Sequence, residues 1–245
     1  MSNVAIIPAR SGSKSIKDKN LLTLSGHTLL EWSIVACLKS KMIDNVIVST
    51  DSEVYKSIAL KAGALVPFIR PSEFARDNST DFDVFNHALK WLDNNNCKVT
   101  NLVHIRPTTP LRDPAKLDQA IELFLSNTCN SSLRSVHKMS ESSYKTFEIC
   151  DGSLALLNSS IFTGPSIDQA NSARQDFPDT YMANGYIDIV RPDLIRESRC
   201  MHGTKVLPFI TEPSLEVDSL DDYLLMKAYI NLVPEISNIL FSQLN

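Results

Sequence analysis

Short apolar segments alternate with longer segments of helical periodicity through the first half of the chain. The apolar segments, which predict strands, are residues 4–8, 45–49, 65–68, 101–105 and 132–136. The segments with helical spacing are residues 28–41, 53–62, 81–94 and 114–126. Buried-type strands that alternate with helices are typical of a mostly parallel sheet with helices on both faces. The pattern therefore predicts an α/β fold.

The alternation fades between about residues 138 and 182, where the chain is polar and rich in turn-forming residues. Two further strands, at residues 184–190 and 205–210, and a helix at residues 220–233 follow this stretch. We expect one domain over residues 1–245, in which the segment at about 138–182 is an excursion from the sheet. Such an excursion suits a lid or a dimerisation arm.

Composition narrows the classes of partner. Of the 245 residues, 43% are hydrophobic and 21% are charged, which is ordinary for a globular protein. The formal net charge is −4, so no overall positive field attracts a nucleic acid backbone. We expect no nucleic acid partner, and any phosphate site must be a local cluster of cations.

The cysteines and the first strand bear on the cellular compartment. The apolar run at residues 4–8 is too short for a signal-peptide core or a membrane span. The five cysteines are odd in number and scattered, without a CxxC pair, which disfavours a disulfide framework or a zinc site. We expect a cytoplasmic protein with no membrane partner.

The loop after the first strand carries the main candidate chemistry. Four cations, Arg10, Lys14, Lys17 and Lys19, lie close together around small residues. Small residues let backbone N–H groups approach a phosphate chain, and the cations neutralise it. The spacing is neither that of a Walker loop nor that of a dinucleotide fingerprint, because Gly12 stands alone. A solvated basic loop is the alternative.

The ends of other predicted strands favour the binding interpretation. Arg70 follows the third predicted strand and Arg106 follows the fourth. In a parallel sheet, ligands bind outside the carboxyl ends of the strands, so these arginines and the cationic loop share one rim. The sequence therefore predicts an anion site on that rim. Asp51, after the second strand, either orients a ribose or caps the next helix.

Six segments, taken in order, resemble the acylneuraminate cytidylyltransferases, or CMP–sialic acid synthetases, of the sialic and legionaminic acid branch. The segments are residues 6–20 (IIPARSGSKSIKDKN), 48–52 (VSTDS), 70–77 (RPSEFARD), 106–112 (RPTTPLR), 173–178 (ARQDFP) with 184–185 (NG), and 216–218 (EVD). The resemblance covers nearly the whole chain. It implies a Rossmann-like nucleotide-diphospho-sugar transferase sheet with a small dimerisation arm, and a homodimer.

The resemblance also implies a reaction. The family transfers CMP from CTP to the anomeric hydroxyl of an acidic nine-carbon sugar, N-acetylneuraminate or legionaminate, and releases pyrophosphate. The implied catalytic residues are Lys19, Arg10 and Asp218. The implied nucleotide-binding residues are Arg10, Ser11, Gly12, Lys14, Asn20, Arg70 and Ser79. The implied sugar-binding residues are Arg106, Lys145, Arg174 and Gln175, some of them contributed across the dimer.

A metal ion follows from the same resemblance. Mg²⁺, or Mn²⁺, suits phosphoryl chemistry, and Asp218 with Glu216 would hold it, because their side chains share one face of an extended segment. The alternative for Asp218 is a cap on the closing helix.

Three positions depart from the family pattern. They are Glu216 in place of Asp, Met182 in place of Arg, and Asp188 in place of an aromatic residue. They leave the sugar open, with a CMP-Kdo-type enzyme or a non-catalytic nucleotide-sugar-binding relative as alternatives.

Overall fold

The computed structural model of the protein describes residues 2–157 and 166–242. The strands are β1 Asn3–Pro8, β2 Thr23–Leu24, β3 His27–Thr28, β4 Asn45–Ser49, β5 Asn101–His104, β6 Ser132–Lys138, β7 Phe147–Cys150, β8 Ser153–Leu156, β9 Tyr181–Val190 and β10 Val206–Ile210. The α-helices are α1 Leu29–Lys39, α2 Glu53–Lys61, α3 Asp81–Asn94, α4 Pro114–Ser126, α5 Leu220–Leu232 and α6 Glu235–Phe241.

Six of these strands form the central sheet, in the order β10-β6-β9-β5-β1-β4. Strand β1 runs parallel to both β4 and β5, and β10 runs parallel to β6. Strand β9 is antiparallel to its two neighbours, β5 and β6. The prediction of a mostly parallel sheet is confirmed, with β9 as the exception.

Helices cover both faces of the central sheet. Because successive residues of a strand point in opposite directions, each buried strand contributes side chains to two cores. Ala5 and Ile7 of β1 pack in one core with residues from α1, α2, α4, α5 and α6. Val4 and Ile6 pack in the other core with α3 and a single turn at Leu194–Ser198. The apolar run at residues 4–8 of β1 is therefore explained by burial on both sides.

Local capping sets where the helices begin. Thr28, Thr80 and Ser219 each accept a bond from the third backbone N–H of the helix that follows, and an acidic side chain at that third position bonds back. This reciprocal capping box satisfies backbone groups that would otherwise lack partners. The start of α1 is thus Leu29, one residue after the predicted start.

Two predictions of secondary structure were wrong or incomplete. Residues 65–68 do not form a strand, because only Leu65 makes a parallel bridge, to Ile47 of β4, and Pro67 lacks the N–H that would extend it. The last helix, α6, was not predicted. Its Phe241 stacks on His27 at 3.7 Å between ring centroids and packs edge-on against Trp32.

The chain leaves the central sheet between β6 and β9. Strands β7 and β8 form a separate antiparallel hairpin there, with Ile149 77% and Leu154 56% exposed. Residues 158–165 of this excursion lie outside the described residues. No helix in residues 2–157 and 166–242 has both the length and the apolar character needed to cross a membrane.

Candidate active site

A cleft of about 390 Å³ opens at the carboxyl ends of β1, β4 and β5. Its walls come from the loop after β1, from the segment between Arg70 and α3, and from the residues after β5. Six cationic side chains line it: Arg10, Lys14, Lys19, Arg70, Arg76 and Arg106. The structure thus brings the predicted rim cations together in one cleft, except Lys17, which does not line it.

The loop after β1 is held by bonds to its neighbours. The backbone N–H and hydroxyl of Ser11 donate to the Asp51 carboxylate, at 2.9 and 3.0 Å. Asn20, which is buried, donates from Nδ2 to the carbonyl of Arg10 at 3.3 Å. Gly12 is exposed, so its backbone is open to solvent. Because Ser52 caps α2, a capping role for Asp51 is wrong, and Asp51 instead holds the loop.

Arg10 and Lys14 share one carboxylate. Their side-chain nitrogens lie 2.9 and 2.8 Å from the two carboxylate oxygens of Asp77. Hydrogen bonds from Lys14 and Arg10 lower the pKa of Asp77. A phosphate oxygen makes the same charge-assisted bonds as a carboxylate oxygen. The arrangement is therefore a two-cation anion site, and Asp77 as its internal partner was not predicted.

Lys19 joins the loop to a segment 199 residues further along the chain. Its Nζ lies 2.9 Å from Oδ1 of Asp218, with the lysine side chain 13% and the aspartate side chain 70% exposed. The cap of α5 is Ser219 with Asp222, so the alternative that Asp218 is the cap is wrong. Asp218 does not itself line the cleft, and Lys19 links it to the cleft wall.

Glu216 lies on the same side of the molecule as Asp218. Its Oε1 accepts a bond from the hydroxyl of Thr108 at 2.8 Å, and the backbone N–H of Val217 donates to the carbonyl of Thr108 at 2.8 Å. Thr108 follows β5 and lines the cleft. These bonds fix the acidic pair beside the loop after β5.

Arg70 and Ser79 line the cleft, and their side chains form hydrogen bonds with backbone groups of the protein. Arg70 is 3% exposed and donates to the carbonyls of Ser49, at 2.9 Å, and Phe74, at 3.5 Å. Burial lowers the pKa of Arg70 to about 10. The hydroxyl of Ser79 donates to the carbonyl of Glu73 and accepts from the N–H of Arg76. Both residues shape this wall of the cleft.

Arg106 forms ion pairs with two carboxylates. Its two terminal nitrogens lie 2.9 Å from Asp188 and 3.1 Å from Asp81. Burial disfavours the charged guanidinium, but Asp188 and Asp81 outweigh that effect and raise the pKa of Arg106. Burial, together with Arg106, lowers the pKa of His104 beside it to about 4. The role of Asp188 was not predicted, although a carboxylate between apolar residues of a strand signals a paired buried charge.

Arg112 is a second buried cation that the sequence did not single out. It is fully buried, and it donates to the carbonyls of Arg106, Gly185 and Tyr186. Burial lowers the pKa of Arg112 to about 10. Gly185 has a φ of +66°, and a Cβ there would lie 3.1 Å from the hydroxyl of Thr109. Arg112 therefore fixes β9 to the loop that carries Arg106.

The three predicted sugar-binding residues of the excursion lie elsewhere. Lys145 stands over the ring of Phe177, at 5.7 Å from its centroid. Arg174 donates to the carbonyl of Met139 at 3.1 Å, and Gln175 is exposed. Within the described chain none of the three lines the cleft, so their contact with a sugar stays a prediction.

The cleft is a cationic site at the carboxyl end of a mostly parallel sheet, and comparison with known proteins gives the family. A model of the family described as "Cytidylyltransferase" matches residues 4–151. The match covers more than half of the chain, which therefore belongs to the cytidylyltransferase family. The predicted family resemblance is confirmed.

Two curated relatives match along most of the chain. The chain is 29% identical over 227 residues to post-translational flagellin modification protein B of Campylobacter coli, covering 91% of the chain and 93% of that protein. It is 30% identical over 232 residues to an N-acylneuraminate cytidylyltransferase of Streptococcus agalactiae serotype III, covering 91% of the chain and 52% of that protein. The chain thus spans about half the length of the streptococcal relative.

A solved structure supports the fold. The structure of CMP:2-keto-3-deoxy-manno-octonic acid synthetase complexed with CTP matches with a TM-score of 0.71 at 14% sequence identity. The match covers 95% of this chain and 99% of that chain. The predicted Rossmann-like nucleotidyltransferase sheet is confirmed.

Proposed function

We propose that the protein is a CMP–nonulosonic acid synthetase, which transfers CMP from CTP to the anomeric hydroxyl of a sialic acid-like sugar, N-acetylneuraminate or legionaminate. One observation carries the proposal. A chain with a net charge of −4 gathers six cationic side chains in a single cleft at the carboxyl end of its sheet. Its membership of the cytidylyltransferase family gives that cleft its chemistry.

The reaction needs positioning and charge neutralisation more than covalent help from the protein. The oxygen of the anomeric hydroxyl forms a bond to the α-phosphorus of CTP. The bond from that phosphorus to the bridging oxygen breaks, pyrophosphate leaves with the bonding electrons, and the hydroxyl proton is released. Lys19, which lines the cleft, would stabilise the negative charge that develops on the phosphate.

The triphosphate would take over the partners of the internal carboxylates. Arg10 and Lys14 bind Asp77, whose side chain is 45% exposed. Exposed ion pairs are weak because water screens them, so Asp77 is readily exchanged for phosphate oxygens. Ser11, Gly12 and Asn20 would complete the nucleotide site with backbone and amide groups, and Arg70 and Ser79 would border the base.

The residues present fit a divalent ion. Asp218 and Glu216 offer hard oxygen ligands, of the kind that Mg²⁺ prefers. The described residues contain no group of three or more His, Cys, Asp or Glu side chains that could hold a metal ion. Mg²⁺, or Mn²⁺, would be held by these two carboxylates together with phosphate oxygens and water. The bound ion would neutralise charge on the phosphates.

A homodimer would complete the sugar site. The β7–β8 hairpin leaves Ile149 and Leu154 largely exposed, and exposed apolar side chains of this kind suit burial against a second copy. In that assembly Lys145, Arg174 and Gln175 would reach the sugar bound by the other subunit. The five cysteines are unpaired, as suits a cytoplasmic enzyme that uses CTP.

The test is pyrophosphate release from CTP in the presence of Mg²⁺ and a panel of acidic sugars. The panel contains N-acetylneuraminate, legionaminate, pseudaminate and Kdo. We expect release with at least one of the first two sugars. Release with Kdo alone would overturn the assignment to the sialic acid branch. Measurable CTP binding without release from any sugar would overturn the enzymatic function itself.

A further inference from the structure

Three charged side chains form a chain of ion pairs at the wall of the cleft, and only one of them is fully buried. Arg106, whose side chain is 21% exposed, bonds to Asp188 at 2.9 Å through one terminal nitrogen. Its other terminal nitrogen lies 3.1 Å from Asp81. Arg106 and Asp81 line the cleft, whereas Asp188 lies behind them and is 1% exposed.

Strand pairing explains the position of Asp188. In the register of the sheet, Asp188 of β9 lies opposite His104 of β5 on one side and Arg134 of β6 on the other. The His104 ring nitrogen Nδ1 lies 3.7 Å from its carboxylate, and Nε of Arg134 lies 3.8 Å away. The only group among the described residues that gives Asp188 a short hydrogen bond is therefore Arg106.

Burial makes the charged Asp188 carboxylate unfavourable unless a partner compensates its charge. A buried carboxylate is stable only when it is paired and hydrogen-bonded, and removal of its partner leaves an uncompensated charge. Val190, two residues further along β9, is apolar and fully buried in the core that includes α3. Packing alone would be met by an apolar residue at position 188, so the carboxylate points to a role for the pair.

The charge balance indicates what that role is. The positive charges of Arg106 and Arg134 are offset by the carboxylates of Asp81 and Asp188, so this group of side chains carries little net charge. What Arg106 still offers is directed hydrogen bonding, because a guanidinium carries five N–H groups in a fixed plane and only two terminal nitrogens are engaged here. The orientation of that plane, rather than its charge, decides how well it binds a ligand.

We propose that Asp188 is a positioning residue for Arg106, which it holds in the orientation that hydrogen-bonds the acidic sugar, and that it thereby sets the affinity of the cleft for that sugar. This inference rests on the proposed function. Asp188 acts through Arg106 and does not itself touch the sugar. Its removal should weaken the sugar and leave CTP unaffected.

The first test is Asp188→Asn, which keeps the shape and removes the charge. We expect the Kd and KM for the sugar to rise about tenfold, the scale for loss of a charge-assisted hydrogen bond, while the KM for CTP and kcat change by less than about twofold. If Asp188→Asn does not fold, Asp188→Glu is measured instead. This variant keeps the charge but moves it, and it should also raise the Kd for the sugar. An unchanged sugar Kd, or an equal rise for CTP, overturns the inference.

A double-mutant cycle tests whether Asp188 acts through Arg106. In the Arg106→Gln background, Asp188→Asn should add less than about twofold to the sugar Kd, because the group that it positions is already gone. Full additivity of the two effects overturns the inference. The matched control is Asp93→Asn, which breaks the ion pair with Arg196 at 2.6 Å at the far end of α3 and should change the melting temperature alone.

Equilibrium binding of the sugar separates this inference from the proposed function. A wild-type protein that binds the sugar but releases no pyrophosphate contradicts the function, while the sugar Kd of the variants still decides the role of Asp188. A wild-type protein that turns over with Asp188→Asn unchanged contradicts the inference alone. A protein that binds no acidic sugar contradicts both.

Discussion

The two ends of the cleft handle charge in opposite ways. At the loop end, Arg10 and Lys14 hold Asp77 in an ion pair whose members are all at least 32% exposed. At the other end, Arg106 holds Asp188, and both lie largely within the protein. Exposed pairs are weak and exchange their partners readily, whereas a buried pair fixes its members because breaking it strands a charge.

This difference separates two tasks that one cationic cleft has to perform. The loop end suits a highly charged ligand that replaces internal carboxylates as it binds. The buried end suits a ligand that is recognised by the direction of hydrogen bonds, because its groups are oriented in advance. The following predictions test that division, from the largest expected effect to the smallest.

Lys19→Ala should have the largest effect. Removal of a group that stabilises charge in the transition state typically lowers kcat by about two orders of magnitude or more. Steady-state pyrophosphate release measures this, and circular dichroism should show an unchanged fold. Lys17→Ala is the matched control, because Lys17 is exposed and does not line the cleft. Turnover of Lys19→Ala close to that of Lys17→Ala would remove Lys19 from the reaction.

His104→Gln should alter the pH dependence of stability. Burial lowers the pKa of His104 from 6.5 to about 4. Between pH 6.5 and pH 4, His104 is therefore protonated in the unfolded chain and neutral in the folded chain. Stability is therefore lost as the pH falls through this window, by about 2 kcal/mol between pH 7 and pH 5. Denaturant unfolding of both proteins at the two pH values measures it. Between pH 7 and pH 5, His104→Gln should lose about 2 kcal/mol less unfolding free energy than the wild-type protein. An equal loss in both proteins would contradict a buried, neutral His104.

Asp218→Asn should raise the Mg²⁺ concentration needed for half-maximal activity by about tenfold, the scale of one charge-assisted contact. The neutral amide is a poorer ligand for a hard cation than the carboxylate. Ser219→Ala is the control, because it removes the cap of α5 and costs stability without touching the ion. A metal titration that shifts in neither variant would exclude Asp218 as a ligand.

Asp77→Asn should have the smallest effect, and in the favourable direction. Asp77 competes with phosphate for Arg10 and Lys14, so the KM for CTP should fall by up to about fivefold. The gain should shrink as salt is added, because the groups are exposed. Glu53→Gln, which removes the exposed pair with Lys56 on α2, should leave the KM unchanged. Weaker CTP binding in Asp77→Asn would show that Asp77 supports the nucleotide site.

The sheet and the cationic rim could be predicted because their signals are local. Residues 4–8 of the buried strand β1 are all apolar, and Arg10 and Arg106 come two residues after strands β1 and β5. Residues 65–68 have the same apolar character, yet only Leu65 pairs with the sheet. Apolar character alone does not show whether a neighbouring strand is within reach.

The pairings inside the cleft could not be predicted, because they join distant parts of the chain. Lys19 meets Asp218 across 199 residues, and Asp188 meets His104 only through the antiparallel register of β9 with β5. Neither register nor a partner can be read from a single sequence without knowing which strands are neighbours. In the sequence, Asp188 stands out as a departure from the family pattern. Only the fold shows that its carboxylate accepts a hydrogen bond from Arg106.

A crystal structure with CTP and an unreactive acidic sugar that lacks the anomeric hydroxyl tests the central claim most directly. We predict that the triphosphate displaces Asp77 from Arg10 and Lys14 and contacts Lys19, while the Arg106–Asp188 bond persists and Arg106 contacts the sugar. A triphosphate bound at Arg106, or a sugar that contacts Arg10 and Lys14, would contradict the division of the cleft into two ends.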